Sequence, residues 1–228
     1  MTSERKENPD TRAMLAAVRT SLSPERFATY LRVSAGDPDL ALRLHTRNTA
    51  LSAGFYGPLQ SVELTLRNTL HRALARRYGA AWFDNPATGL NAYAITEIAQ
   101  TRAKLKRGRY VPDAPHTVAA LSFGFWVALL GPGGNANYAM TLWRPALSAA
   151  FPHARLPRKT IHREFDHLRT FRNRIAHHEP IFTRHLAADY AKILTLTGWM
   201  CPLTRDWIAR RSRIPTLLAA DPAQEGLF

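Results

Sequence analysis

The sequence predicts an all-α protein, a helical bundle folded as a single domain. Apolar residues recur at steps of three and four along most of the chain, the signature of helices with one buried face. Proline and glycine cut these runs at helix-length intervals, and no alternating strand pattern or solenoid-length repeat interrupts them. With 228 residues, 46% of them hydrophobic, the chain is large enough to bury a core and too apolar for wholesale disorder.

The elements follow in order. Met14, Leu15, Val18 and Leu22 space a first helix over 10–22. Ser23-Pro24-Glu25 reads as an N-cap with proline at the first helical position, opening a helix through Val33. After the turn Gly36-Asp37-Pro38-Asp39, helices are expected from about Pro38 to Ala53 and from Pro58 to Tyr78, with Gly54, Gly57 and Pro58 as the break. A loop over 79–89 carries Trp82 and Phe83, which should pack back on the core. Further helices are expected at 89–107, 115–130, 137–150, 157–178, 184–200 and 203–211, with Gly131 to Gly134 as a connector. The helical domain thus spans 10–213, between a polar tail at 1–9 and a C-terminal tail at 214–228.

Charge narrows the class of partner. The net charge is +14, and residues 100–176 hold thirteen Lys or Arg against three acids. Such a field attracts phosphate backbones. Lys104, Lys106, Arg107 and Arg109, with Arg155, Arg158, Lys159 and Arg163, are the candidate RNA-backbone contacts. The plainer alternative is a solvated basic surface. Membrane partners are not expected: the longest apolar run, Val118 to Leu130, falls short of the roughly 20 residues of a spanning helix. A lone cysteine, Cys201, excludes a disulfide framework and a multi-cysteine metal site and fits a reducing cytoplasm. The polar first ten residues show no secretory signal.

Two polar residues interrupt apolar stripes. In the helix at 157–178, Ile161, Phe165, Leu168 and Ile175 form one face, and Arg172 stands where the pattern wants an apolar residue. In the helix at 58–78, Leu59, Val62, Leu66, Leu70 and Ala73 define the buried face, and Glu63 falls within it. A buried guanidinium and a buried carboxylate invite pairing. Glu63 can equally pair with Arg67 one turn along its own helix.

The segment Phe171-Arg172-Asn173-Arg174-Ile175-Ala176-His177-His178-Glu179-Pro180 ends its helix, because Pro180 disfavours helical geometry at Glu179. Asn173 and His177 are one turn apart, so the amide can orient the imidazole. On a regular helix His177 points about 140° away from Arg172. The two meet if the chain unwinds there or if a second copy of the motif faces the first.

This set of groups suits cleavage of RNA by its own 2′-hydroxyl. Histidine takes that proton near neutral pH, and a fixed arginine stabilises the charge of the pentacoordinate phosphorane. No metal and no cofactor are required. His162, Glu164, Asp166 and His167 lack metal-ligand spacing and read as a salt-bridged helix face. Gly131 to Gly134 lacks the Gly-Lys-Ser/Thr of a phosphate-binding loop.

Arg172-Asn173-(three residues)-His177 resembles the Arg-x4–6-His motif of HEPN-superfamily ribonucleases, and its continuation through Glu179-Pro180-Ile181 resembles the Abi-like (abortive infection, AbiD/AbiF-type) branch. The likeness includes Leu22-Ser23-Pro24-Glu25-Arg26-Phe27, Gly36-Asp37-Pro38, Val62-Glu63-Leu64-Thr65-Leu66-Arg67-Asn68 and Leu121-Ser122-Phe123-Gly124-Phe125-Trp126, and covers most of residues 22–200. It implies a HEPN-like helical bundle that dimerises so that two motifs line one cleft. It also implies metal-independent endoribonuclease activity in phage defence or toxin–antitoxin function, which makes a protein or RNA antitoxin a candidate partner. Carried over by position, Arg172 and His177 are catalytic and Asn173 supports them; Glu63, Arg67 and His178 are further supporting candidates, and His178 competes with His177 as the base. Some members of the superfamily bind RNA without cutting it, so a non-catalytic RNA-binding or sensing module is the alternative.

Overall fold

A computed structural model describes residues 9–220. It is all-α, with no strand among the described residues. The helices are α1 (Pro9–Ser21), α2 (Pro24–Val33), α3 (Pro38–Tyr78), α4 (Ala92–Arg107), α5 (Ala114–Ala120), α6 (Phe123–Leu130), α7 (Arg158–Ala176), α8 (Leu186–Met200), α9 (Pro202–Arg211) and α10 (Ile214–Ala219). No described helix is long and apolar enough to cross a membrane. The tail expected at 1–9 lies, except for Pro9 at the start of α1, outside the described residues.

The described chain gathers into two compact units. One comprises residues 9–55, 174–187 and 213–220; the other comprises 56–173 and 188–212. Helices α3 and α7 each contribute to both, so neither unit is one continuous stretch of chain.

The first unit is built around Phe27, Tyr30 and Ala41, with Leu22, Leu31, Leu42, Leu44 and Phe182 against them. Ser23 caps α2 as expected, its hydroxyl accepting from Arg26 N. Tyr30 stacks on Phe182 at 5.3 Å between ring centres and meets His45 edge-on at 5.2 Å. Buried Asn48 accepts from the backbone N–H of Ile181 at 2.7 Å and of Phe182 at 3.3 Å. One side-chain oxygen therefore satisfies two donors of a segment that belongs to no helix.

The second unit has an aromatic centre. Trp82, Phe125 and Trp126 are buried within 5.3–6.4 Å of one another, as the expected packing-back of the 79–89 loop requires. Trp82 Nε1 donates to His71 Nδ1 at 3.1 Å. Ile161, Phe165, Leu168 and Phe171 form the buried face of α7. Gly133 is demanded by packing: a Cβ there would sit 2.4 Å from the buried Tyr138 ring, at a φ of +72°.

Four expectations are corrected. The break at Gly54, Gly57 and Pro58 does not occur, and α3 runs 41 residues through them. A proline inside a helix costs about 3 kcal/mol, and burial of Leu51, Phe55, Leu59, Val62, Leu66 and Leu70 along α3 offsets that. Gly54 serves packing, since a Cβ there would meet Leu217 Cδ1 at 2.5 Å. The helix at 115–130 is two helices, because the Ser122 hydroxyl accepts from Phe125 N and starts α6. Over 137–150 stand a π-turn at Ala139–Trp143 and a 3₁₀ turn at Leu147–Ala150, separated where Pro145 cannot donate. Part of the C-terminal tail is ordered as α10, anchored by fully buried Ile214; residues 221–228 lie outside the described residues.

Candidate functional site

Arg172 and Glu63, the two residues that break their helical stripes, meet in the second unit. Arg172 Nε lies 3.4 Å from Glu63 Oε2, with side chains 39% and 23% exposed. The flanking Leu168 and Phe171 on α7, and Val62 and Leu66 on α3, are buried and fix where the two polar groups emerge. Arg172 Nη1 also reaches Asn173 Oδ1 at 3.5 Å, a weak contact. A guanidinium carries five N–H donors, and these two contacts leave several to bind an anion. A half-exposed ion pair stabilises the fold by about 1 kcal/mol at most. Its main consequence is orientation of the guanidinium.

Arg67, the other candidate partner of Glu63, is used elsewhere. Its Nε donates to Asn68 Oδ1 at 3.2 Å and its Nη1 to the Ala119 carbonyl at 3.1 Å, tying α3 to the end of α5.

The histidines stand in the first unit. Glu179 N donates to Arg174 O at 2.9 Å and His178 N to Ile175 O at 3.1 Å, while His178 sits at φ +58°. This is a Schellman cap: His177 is the C-cap, and His178 holds the left-handed position that glycine ordinarily takes. Arg174 braces the turn, Nη2 donating to Pro180 O at 3.0 Å and Nε standing 3.4 Å from Glu179 Oε2. Asn48 pins the next two residues through the bonds given above. Both imidazoles are exposed, and both line a cleft of about 700 Å³.

The same cleft is bordered by Arg26 on α2 and by Tyr30 and His45. Burial pushes the Tyr30 phenol up to about 12 and lowers the His45 pKa, so both are neutral near pH 7. Sequence reasoning missed His45, Asn48 and Arg174. The signal for the first two was present: Ala41, His45, Asn48 and Phe55 share a stripe on α3, and two of its members are polar. The test that singled out Arg172 and Glu63 applies to them equally.

The eight basic candidates divide. Arg158 is structural, its Nη1 donating to Leu130 O at 2.6 Å, and Arg163 Nη2 lies 3.1 Å from Glu164 Oε1. Lys104, Lys106, Arg107, Arg109, Arg155 and Lys159 are exposed. The polar face of α7 is salt-bridged, with Glu164 also 2.6 Å from Lys192 Nζ and Asp166 2.8 Å from Arg169. Among the described residues, no group of His, Cys, Asp and Glu is placed to hold a metal.

Chemically, the chain presents an oriented guanidinium in one unit and, in the other, an exposed imidazole on a braced turn beside a concave surface. Compared with protein-family models, curated proteins and solved structures, the chain has no match.

Proposed function

We propose that the protein is a metal-independent endoribonuclease of the HEPN type, within the Abi-like group, acting in the bacterial cytoplasm in phage defence or as the toxin of a toxin–antitoxin pair. The string Arg172-Asn173-x3-His177 carries the reading: its arginine is paired with Glu63, and its histidine stands at a helix cap on the rim of a cleft. In the reaction, His177 takes the proton of a ribose 2′-hydroxyl. The 2′-oxygen attacks the adjacent phosphorus, Arg172 stabilises the phosphorane, and the P–O5′ bond breaks as the 5′-oxygen takes up a proton from solvent. The products are a 2′,3′-cyclic phosphate and a 5′-hydroxyl. Both the base and the compensating positive charge come from side chains, so the route needs no metal.

Arg172 and His177 diverge along the helical register, so we propose that two copies around a two-fold axis complete the cleft. Incubation with total RNA in EDTA, followed by mapping of fragment ends, tests the proposal. Cyclic or 3′-phosphate ends are expected. Cleavage abolished by chelation and restored by Mg²⁺ overturns the metal-independent route. Salt-sensitive RNA binding without cleavage favours the non-catalytic alternative, which the exposed cations at the end of α4 would serve equally well.

A further inference from the structure

We propose that the corner at the C-terminal end of α4, walled by Tyr110 and Lys104, is a subsite that takes one unstacked base of single-stranded RNA. The inference rests on the reading above for RNA as the ligand and adds where and how the strand is gripped.

Helix α4 ends in a second Schellman cap. Tyr110 N donates to Leu105 O at 2.9 Å, Arg109 N to Lys106 O at 3.0 Å, and Arg109 takes φ +60°. The backbone of Tyr110 is therefore fixed relative to the helix end. Its ring lies against Gly108, where an added Cβ would come within 3.1 Å of Tyr110 Cδ2. Even so, Tyr110 is 60% exposed, with the His116 ring 6.2 Å away between centres and tilted by 39°.

Beside it is a cavity of about 240 Å³, bordered also by Lys104, Glu97, Thr101 and Ser122. That is below the roughly 300–1,000 Å³ of sites for drug-sized ligands and suits a single ring system. Lys104, Lys106, Arg107 and Arg109 are all exposed around the corner. Cations are common at helix C-termini because they complement the backbone dipole. That accounts for the lysines and Arg107; it does not account for an exposed tyrosine beside a cavity. Single-strand binders combine these parts, stacking bases on an aromatic face while cations follow the backbone. The Glu97 carboxylate can accept from a base amino group, as carboxylates accept from cytosine. The Ser122 hydroxyl, already accepting from Phe125 N, keeps its own proton to donate.

The test uses the full chain and a fluorescein-labelled 2′-O-methyl oligonucleotide, which has no free 2′-hydroxyl and is not cut. Anisotropy titration should show Tyr110→Ala weakening binding about five- to hundredfold, the span for loss of one stacked base. Tyr110→Phe should bind as the wild type does, and Lys104→Ala should flatten the dependence of affinity on salt. Tyr110 is exposed, and equal melting temperatures would establish that the variants fold. Wild-type affinity in a folded Tyr110→Ala variant overturns the subsite, whether or not ordinary RNA is cleaved. Tyr110-dependent binding by a wild-type protein that cuts nothing supports the subsite and removes the ribonuclease reading.

Discussion

His178 lines the cleft, yet its backbone marks it as a cap residue, and replacement by glycine separates the two roles. A non-glycine residue in the left-handed region carries about 1–2 kcal/mol of strain, and His178 stands at φ +58°. Glycine removes that strain but loosens the unfolded chain, which takes back about 0.4–1 kcal/mol. The net expectation for His178→Gly is a gain of about 0.5–1 kcal/mol. For a chain of this size that raises the melting temperature by about 1–4 °C. His178→Ala removes the same imidazole while keeping a Cβ at positive φ, so it should not gain. Thermal melts of both variants, with RNA cleavage assayed in parallel, decide the matter. The expected pattern is stabilisation by glycine only and cleavage retained by both. A destabilised His178→Gly refutes the cap argument. Cleavage lost in both variants with His177→Ala still active makes His178 the base.

Other consequences follow from named contacts. Asn48→Ala deprives two backbone N–H groups, of Ile181 and Phe182, of their shared acceptor; denaturant unfolding should show a loss of about 1–3 kcal/mol, and an unchanged midpoint would contradict the bracing role. Burial lowers the pKa values of His45, His71 and His162 below the ordinary histidine value of 6.5. Their contribution is fully present above 6.5, where both states are neutral, and is lost as pH falls through the folded pKa values, because the unfolded chain takes up protons first. Melting temperature should therefore drop between pH 7.5 and 5.5; a rise over that range refutes the assignment. Light scattering should report about twice the 25.6 kDa of one chain, and a strictly monomeric protein with full activity contradicts the two-fold cleft.

Local periodicity made the helical class legible, and Glu63 and Arg172 were legible as two violations of it, while the choice of Arg172 over Arg67 as the partner of Glu63 came from the fold. Where tertiary packing or capping overrides local signals, the sequence misleads. Pro58 reads as a break, and only the apolar burial along α3 shows why the helix continues through it. Ser122 lies inside an apolar run, and its capping bond to Phe125 N divides that run into two helices. The cleft draws on residues 21–30, 45–49 and 177–180, and no spacing rule joins segments so far apart in the chain. The role of His178 was hidden for a different reason: nothing in a His-His pair says which member takes the left-handed position that glycine usually fills.

The central claim is that His177 and Arg172 perform the chemistry, and single-turnover cleavage of a defined RNA in EDTA tests it most directly. His177→Ala should slow cleavage by about 10²–10⁴-fold, the usual worth of general acid–base catalysis, and Arg172→Ala should come close to abolishing it. Both variants should still bind a 2′-O-methyl copy of the same RNA, and wild-type products should end in 2′,3′-cyclic phosphate. Undiminished cleavage by His177→Ala and His178→Ala alike, or wild-type products with 3′-hydroxyl ends, would contradict the account.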